Sequence, residues 1–93
     1  MDTTIKLKTV ECGNMAENHP GKVIVGAKQI KKCLKKDEIS QNYNARNADP
    51  AITEPLVNVC RKHKLPVYWV RSMRELGAAC GIDVGAAAAA IRK

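Results

Sequence analysis

The sequence predicts a single α/β domain in which short strands and helices alternate along the chain. Two observations support this prediction. The chain has 93 residues, of which 45% are hydrophobic, so it can bury one modest core. Short apolar runs alternate with segments of helical periodicity, in the order strand–helix–strand–helix–strand–helix–strand. This order indicates an α/β sandwich.

The first strand is predicted at residues 22–26 and leads directly into a helix. Residues 22–26 (KVIVG) form a short apolar run, typical of a buried strand, that ends in glycine. From Ala27 the pattern becomes helical, with Ala27, Ile30 and Leu34 on one face. Residues 1–20 are polar and end in a His-Pro-Gly turn signal. A weakly patterned short helix over residues 10–18 is one option there.

A second strand is expected over residues 39–45, although its sequence is unusually polar. Residues 41–44 (QNYN) are poor candidates for a central strand. A helix then begins clearly, with Asp49 as its cap and Pro50 at its first position. Apolar residues follow at helical spacing until Leu65-Pro66 ends the helix.

The C-terminal third predicts a strand, a short helix and one ambiguous segment. Residues 67–70 (VYWV) form the strand, and Ser72 and Glu75 have the spacing of a capping box for a helix to about Ala79. Residues 80–85 form a loop framed by glycines. The alanine-rich residues 86–91 suit a helix by intrinsic propensity. A buried strand that requires small side chains is the competing prediction.

The positive charge of the chain is concentrated around the junction of the first strand and helix. Sixteen Lys and Arg against nine Asp and Glu give a net charge of +7. Six lysines lie between residues 22 and 36. Such a field suits a polyanion, and nucleic acid is favoured over a membrane because no basic amphipathic stretch carries aromatic anchors. A solvated, lysine-rich helix face is the alternative explanation.

Gly26 occupies the position where a phosphate is best accommodated. A glycine that ends a strand and opens a helix leaves backbone N–H groups facing outward, where the helix dipole adds positive charge. Lys28 and Gln29 lie in the first turn and can reach base edges, and Lys32 lies one turn further on the same face. The order of residues required for a P-loop is absent.

The loop of residues 80–85 is the second candidate site. It carries two branched apolar residues, Ile82 and Val84. The pattern favours their packing into the core over their covering an unstacked base. The chain has three aromatic residues and no Phe, which disfavours an aromatic platform for single-stranded bases.

The sequence gives little support for catalysis or metal binding. Cys60 and His63 share a helix face and would be the candidates for nucleophile and base, but no orienting acid accompanies them. A partly buried histidine near the helix end is the commoner explanation. The cysteines at positions 12, 33, 60 and 80 are scattered and are expected to be reduced and mostly buried. We therefore expect no enzyme activity, no metal and no other cofactor.

Three segments of the chain carry a shared pattern: residues 23–32 (VIVGAKQIKK), 47–50 (Asn-Ala-Asp-Pro) and 72–87 (SMRELGAACGIDVGAA). Together they resemble the kink-turn RNA-binding ribosomal proteins of the L7Ae family, especially the small bacterial L7Ae-like branch. The resemblance covers about residues 20–91. It implies a three-layer α-β-α sandwich with a four-stranded mixed sheet, in which the alanine run is the last strand. It also implies a division into an N-terminal segment, residues 1–20, and one RNA-binding domain, residues 21–93.

The resemblance assigns RNA contacts to two segments of this chain. The helix start contributes Gly26, Lys28, Gln29 and Lys32, and the loop contributes Gly81, Ile82, Asp83 and Val84. Lys28-Gln29 follows the bacterial form. The apolar loop residues would shelter a nucleotide flipped out of a bulge. Supporting positive charge is expected from Lys22, Lys31, Lys35 and Lys36.

The expected ligand is a structured RNA that contains a kink-turn, a sharply bent motif with tandem sheared G·A pairs, in ribosomal RNA or riboswitches. We expect a cytoplasmic monomer with no membrane or small-molecule partner, because residues 1–6 lack an apolar signal core and residues 86–91 are too short to cross a bilayer. A protein-interaction scaffold of the same fold, with only nonspecific RNA affinity, is the alternative. The polar residues 41–44 stand where relatives have an aliphatic strand, so a ragged, shifted or side-chain-bonded strand is expected there.

Overall fold

The computed structural model describes residues 13–93 of the chain. Its four strands are β1 (Val23–Val25), β2 (Ile39–Ala45), β3 (Val67–Val70) and β4 (Ala88–Arg92). Its helices are α1 (Met15–Asn18), α2 (Ala27–Lys35), α3 (Pro50–Lys62) and α4 (Met73–Ala79). The alternation predicted from the sequence is confirmed in every element from β1 onward. The part of the predicted helix at residues 10–12 lies outside the described residues.

The four strands form one mixed sheet in the order β1-β4-β2-β3. Strand β4 pairs antiparallel with both β1 and β2, whereas β2 and β3 run parallel. The parallel pair requires a crossover connection, which α3 supplies. The four-stranded mixed sheet is therefore confirmed.

Two apolar clusters lie on opposite faces of the sheet and define three layers. One cluster combines Met15 of α1 with Leu76 and Ala79 of α4. The other combines residues of α2 and α3, including Ile30, Leu34, Leu56 and Cys60. Helices α1 and α4 thus cover one face, and α2 and α3 cover the other. This is the expected α-β-α sandwich.

The alanine run forms the central strand β4, against its intrinsic helix propensity. Ala88 and Ala90 face α2 and α3, while Ala89 and Ile91 face α1 and α4. All four are at most 2% exposed. A strand covered on both faces tolerates small side chains because they allow the helices to pack close to the sheet. Burial here outweighs the modest helix preference of alanine.

The polar segment forms β2, the strand between β4 and β3. Asn42 and Asn44 are fully buried on the face that α2 and α3 cover. The Asn42 amide donates to the Ala89 carbonyl at 3.2 Å, and the Asn44 amide donates to Asn42 Oδ1 at 2.7 Å. A register irregularity separates Ile39 from Gln41. The strand is therefore both irregular and stabilised by side-chain hydrogen bonds.

The helix starts follow the predicted capping pattern. Asp49 accepts a hydrogen bond from the N–H of Ala51 at 3.0 Å, with Pro50 as the first residue of α3. Ser72 accepts from the N–H of Glu75 at 3.1 Å at the start of α4. These caps fix where both helices leave the same edge of the sheet.

One prediction about burial was wrong. Strand β1 is an edge strand of only three residues, and all three are half-buried instead of buried. Its outer side has no neighbouring strand among residues 13–93. No helix in the described part of the chain is long and apolar enough to cross a membrane.

Candidate nucleic-acid interface

Four chain segments meet at one edge of the sheet. The C-terminal ends of β1, β2 and β3 lie at this edge because all three run in the same direction, antiparallel to β4. The segment that precedes β4 therefore arrives at the same edge. The N–H of Gly26 donates to the Ala88 carbonyl at 3.3 Å, and the N–H of Ala45 donates to the Ala87 carbonyl at 2.9 Å. We call this edge the junction edge.

Gly26 opens α2 in a conformation that favours glycine. Its φ of +102° lies in the region that L side chains rarely adopt. A Cβ there would have no heavy atom within 4 Å, so backbone conformation and not packing accounts for the glycine. The Gly26 carbonyl accepts from the N–H of Ile30 at 3.1 Å, and no side chain of the described residues caps the helix. The N–H groups of residues 27–29 therefore point out of the helix end at the junction edge.

The predicted RNA-contacting side chains of α2 are accessible. Lys28, Gln29 and Lys32 are all exposed. Lys28 and Lys32 are one turn apart on the same face of the helix. The first turn contains no acidic residue, so the positive end of the helix dipole is not neutralised locally.

The supporting lysines are spread over a wider area than their spacing in the sequence indicated. Lys22 is exposed, but it precedes β1 and so lies at the opposite end of that strand from Gly26. Lys36 is the C-cap of α2, and Lys31 and Lys35 line a groove between α2 and α3. All four lysines contribute to the overall field: Lys22 and Lys36 lie at the ends of β1 and α2 that are remote from Gly26, and Lys31 and Lys35 face the groove.

The loop before β4 is held tightly against α4. The N–H of Ile82 donates to the Gly77 carbonyl at 3.1 Å, and the N–H of Ala86 donates to the Met73 carbonyl at 2.9 Å. A Cβ on Gly77 would collide with the backbone carbonyl of Val84. Gly77 is therefore required for the close approach of the loop to α4. It sets the distance between the loop and the helix. The sequence offered one signal for it, a glycine in a helix interior.

The two branched residues of this loop have different environments. Ile82 is half-buried and packs against the core cluster that contains Leu76. Val84 is 70% exposed, although it is large and apolar. The core packing that the pattern favoured is thus right for Ile82 and wrong for Val84. Gly81 and Asp83 are also exposed, and Gly81 has a φ of +79°.

A side chain that the sequence analysis did not select links two of the converging segments. Asn47 Oδ1, in the turn after β2, accepts a hydrogen bond from the N–H of Met73 at 2.8 Å. This bond satisfies one of the first N–H groups of α4. It ties the start of α3 to the start of α4. The two residues are 26 positions apart, so no local pattern reveals the contact.

Comparisons with known proteins agree with this architecture. Residues 10–93 match the model of the ribosomal protein L7Ae/L30e/S12e/Gadd45 family. The chain belongs to this family. The match begins ten residues before the segment that the sequence resemblance covered. It confirms the family membership that the resemblance predicted. The division at residue 20 stays a prediction.

Small bacterial proteins are similar in sequence to this L7Ae-family chain. It is 44% identical over 69 residues to a protein of Bacillus pumilus named RNA-binding protein, a match that covers 74% of this chain and 84% of the relative. It is 40% identical over 76 residues to RNA-binding protein TTE2299 of Caldanaerobacter subterraneus, covering 82% and 93% of the two chains. The bacterial L7Ae-like branch is therefore the right one.

Solved structures of low identity share the fold of this L7Ae-family chain. The Giardia lamblia 15.5kD RNA binding protein superposes with a TM-score of 0.80 at 23% identity, covering 100% of this chain and 76% of the other. A Bacillus halodurans protein of unknown function superposes with a TM-score of 0.75 at 18% identity, covering 88% and 80%. At these identities the likeness establishes the fold alone.

Cys60 and His63 of this L7Ae-family chain lie in different environments. Cys60 is fully buried, and desolvation raises the pKa of its thiol to about 11. A thiol with this pKa is a poor nucleophile at neutral pH. His63, the C-cap of α3, is exposed, so the prediction that it is partly buried was wrong.

The two other cysteines that the structure describes agree with the expected burial. Cys80 is buried and Cys33 is half-buried, while Cys12 lies outside the described residues. Among residues 13–93, no three His, Cys, Asp or Glu side chains are grouped so that they could hold a metal ion.

Proposed function

We propose that this protein is a non-catalytic RNA-binding protein that recognises kink-turns, the sharply bent helix–bulge–helix motifs with tandem sheared G·A pairs. One observation carries the proposal: the uncapped start of α2 and the segment that leads from the loop into β4 meet at the junction edge, where the N–H of Gly26 donates to the carbonyl of Ala88, the first residue of β4. A phosphate-binding helix start beside an exposed apolar side chain suits a backbone that bends around an extruded base. Both bacterial relatives are named as RNA-binding proteins, which supports the same ligand class.

Sequence discrimination is assigned to the first turn of α2. The Lys28 ammonium can donate to guanine O6 and N7, and the Gln29 amide can both donate and accept along a base edge. Lys32 is placed one turn away to pair with phosphate. The outward N–H groups of residues 27–29 offer further donors to phosphate oxygens. Residues of two kinds, base-reading and phosphate-binding, thus share one helix end.

The loop supplies the second side of the proposed site. Val84 is 70% exposed and would gain from covering the face of a nucleotide that has left the helical stack. Gly81, Ile82 and Asp83 complete the segment, with Ile82 anchored on the core. Because Gly77 and Met73 fix the loop backbone, the protein presents this surface without first ordering it.

Binding and bending of the RNA are coupled in this proposal. A kink-turn brings phosphates closer together than an open bulge does, so the positive helix start stabilises the bent state more than the open one. A ligand can shift a conformational equilibrium only by its differential affinity for the two states. The proposed biological targets are ribosomal RNA or riboswitch RNA in the cytoplasm, bound by a monomer.

The decisive experiment compares two RNAs that differ only in the G·A pairs. A kink-turn RNA with both pairs intact and the same RNA with Watson–Crick replacements are titrated with the protein at several salt concentrations. We expect the intact RNA to bind at least about tenfold more tightly, and fluorescence energy transfer between labelled RNA ends to report bending on binding. Equal affinities for the two RNAs would reject kink-turn recognition and leave a nonspecific basic surface.

A further inference from the structure

A groove between α2 and α3 lies outside the proposed RNA site. It has a volume of about 330 Å³. The residues that line it come from the second half of α2 and from the middle and C-terminal end of α3: Lys31, Leu34, Lys35, Pro55, Val59 and His63. Both helices begin at the junction edge and run away from it, so the groove opens on a different part of the surface.

The groove combines an apolar floor with a positively charged rim. Leu34, Pro55 and Val59 form the floor, and Leu34 is 3% exposed. Lys31, Lys35 and His63 are exposed around it. Among the described residues that line the groove, none carries a carboxylate. The rim therefore favours an occupant with negative charge around an apolar centre.

The apolar strip of α3 continues beyond the groove. Ile52, Pro55 and Val59 follow one another at spacings of three and four residues, so they share one flank of the helix. Ile52 is 40% exposed, one of two large hydrophobic residues that stand out in the described chain. An exposed apolar strip that continues from a lysine-bordered groove is typical of an interaction surface.

The lining chemistry favours a polypeptide over RNA. The groove residues include no Phe, Tyr or Trp ring for base stacking, with His63 as their one smaller ring, and no amide for reading a base edge. Gln29 and Lys31 are two positions apart, roughly 200° around the helix axis. The groove flank of α2 therefore faces away from Gln29, whereas Lys28, three residues before Lys31, lies at the junction-edge end of the same flank.

We propose that this groove binds an acidic amphipathic helix of a partner protein. Aliphatic side chains at positions i, i+3, i+4 and i+7 of that helix would occupy the floor formed by Leu34, Pro55 and Val59. Its acidic residues would pair with Lys31 and Lys35. A small groove of this kind suits a weak, reversible interaction. The RNA site remains accessible, so the protein can link an RNA to an acidic protein.

The test uses the full chain and synthetic peptides. The probe is a helical peptide with leucines at i, i+3, i+4 and i+7 and glutamates at its other exposed positions. One matched peptide has the same composition with the leucines scrambled, and another has lysine in place of every glutamate. We expect saturable amide shifts in NMR spectra, centred on Leu34 and Val59, and affinity at least about tenfold weaker for both matched peptides.

Two charge-matched variants separate the groove from general attraction. Lys31→Glu with Lys35→Glu should weaken peptide binding at least about tenfold. Lys36→Glu with Arg74→Glu makes the same change in net charge at exposed positions outside the groove and should weaken peptide binding much less. Equal losses in the two double variants, or equal binding of the scrambled peptide, would overturn the proposal.

RNA and a second copy of the chain are the remaining occupants to test. The kink-turn RNA should leave the Val59 amide unshifted and should not displace the peptide. If the RNA shifts Val59 and releases the peptide, the groove belongs to RNA and the proposal is wrong. Concentration-dependent shifts of Val59 in the protein alone would assign the groove to self-association instead. Failure of the peptide test leaves the G·A comparison unaffected, so the two proposals are judged separately.

Discussion

Asn47 and Met73 join two helix starts through a hydrogen bond of 2.8 Å from the Met73 N–H to Asn47 Oδ1. Asn47 precedes α3, and Met73 is the first residue of α4. The loop before β4 is in turn bonded to α4 through Gly77 and Met73. The position of the proposed RNA-contacting loop therefore depends on a chain of contacts that starts at the end of β2.

Replacing Asn47 with alanine tests this link. We expect Asn47→Ala to lower the free energy of unfolding by about 1 kcal/mol, because α4 loses an acceptor for one of its first N–H groups. RNA affinity should fall as well, since the start of α4 is less well fixed. Asn58→Ala, at an exposed position of α3, serves as the control and should change neither quantity appreciably. Urea unfolding and RNA titration measure both, and an unchanged unfolding curve would contradict the structural role.

Substitutions on α2 should separate base recognition from charge attraction. Lys28→Ala and Gln29→Ala should reduce the preference for the G·A-containing RNA by about 1–3 kcal/mol each, because they remove contacts to base edges. Lys35→Ala should weaken all RNAs alike and lower the slope of log K against log salt by about 1 or less. Fluorescence anisotropy with both RNAs at several salt concentrations distinguishes the two effects. Uniform losses from all three changes would leave no specific reader on this helix.

Gly77→Ala tests whether the loop height controls RNA binding. The added methyl group would collide with the Val84 carbonyl, so the loop must move even though alanine has the higher helix propensity by about 1 kcal/mol. We expect a less stable protein with weaker RNA binding. Ala78→Gly, at the exposed neighbouring position, provides the opposite exchange and should lose only the helix propensity of alanine. NMR shifts of residues 81–85 report the displacement, and wild-type shifts in Gly77→Ala would contradict it.

The buried asparagine pair should be replaceable together but not singly. Asn44 Oδ1 has no hydrogen-bond partner in the described chain, and Asn42 Oδ1 accepts only from Asn44 among the side-chain bonds seen. Asn42→Leu alone leaves the Asn44 amide without its hydrogen-bond acceptor. We expect it to lower the free energy of unfolding by about 1–3 kcal/mol. The double change to leucine removes both polar groups and should restore much of that loss or exceed wild-type stability. Thermal unfolding of Asn42→Leu, Asn44→Leu and the double variant measures these changes, and additive losses would show that the pair stabilises the fold.

Thiol labelling should distinguish Cys60 from Cys33. Burial raises the Cys60 pKa from 9.0 to about 11, so at pH 8 only about one thiol in a thousand is ionised in the folded state. Cys33 is half-buried and should react with a maleimide before Cys60 does, as mass spectrometry of digests would reveal. Because the folded pKa is raised, the contribution of Cys60 to stability is fully present below pH 9 and is lost as the pH rises toward 11. Rapid labelling of Cys60 at pH 8 in the native protein would contradict its burial.

Local chemistry accounts for the elements that the sequence predicted well. Asp49 followed by Pro50, and Ser72 three residues before Glu75, are caps whose partners lie within a few residues. The strand of residues 23–25 ending at Gly26 is equally local. The candidate α2 site follows from these signals, because a glycine between strand and helix fixes both the backbone and the outward N–H groups.

Non-local packing accounts for the features that could not be predicted from the residues alone. The alanines of β4 favour a helix by intrinsic propensity, with a buried strand as the competing prediction, and the family resemblance decided for the strand. Whether Ile82 or Val84 faces the core depends on how Gly77 and Met73 hold the loop. The spread of Lys22, Lys31, Lys35 and Lys36 around the molecule likewise depends on the tertiary arrangement of β1, α2 and α3.

The central position of β4 also constrains the order of events during synthesis. β1 pairs with β4 alone, and β2 depends on β4 for its antiparallel partner. A nascent chain that has reached only β3 can form the parallel pair of β2 and β3, but β1 has no strand to join. At a translation rate of roughly 5–20 residues per second, several seconds pass between the synthesis of β1 and that of residues 88–92. During this time β1 has no partner strand. The start of α2 consequently acquires its final position only when the last strand inserts between β1 and β2.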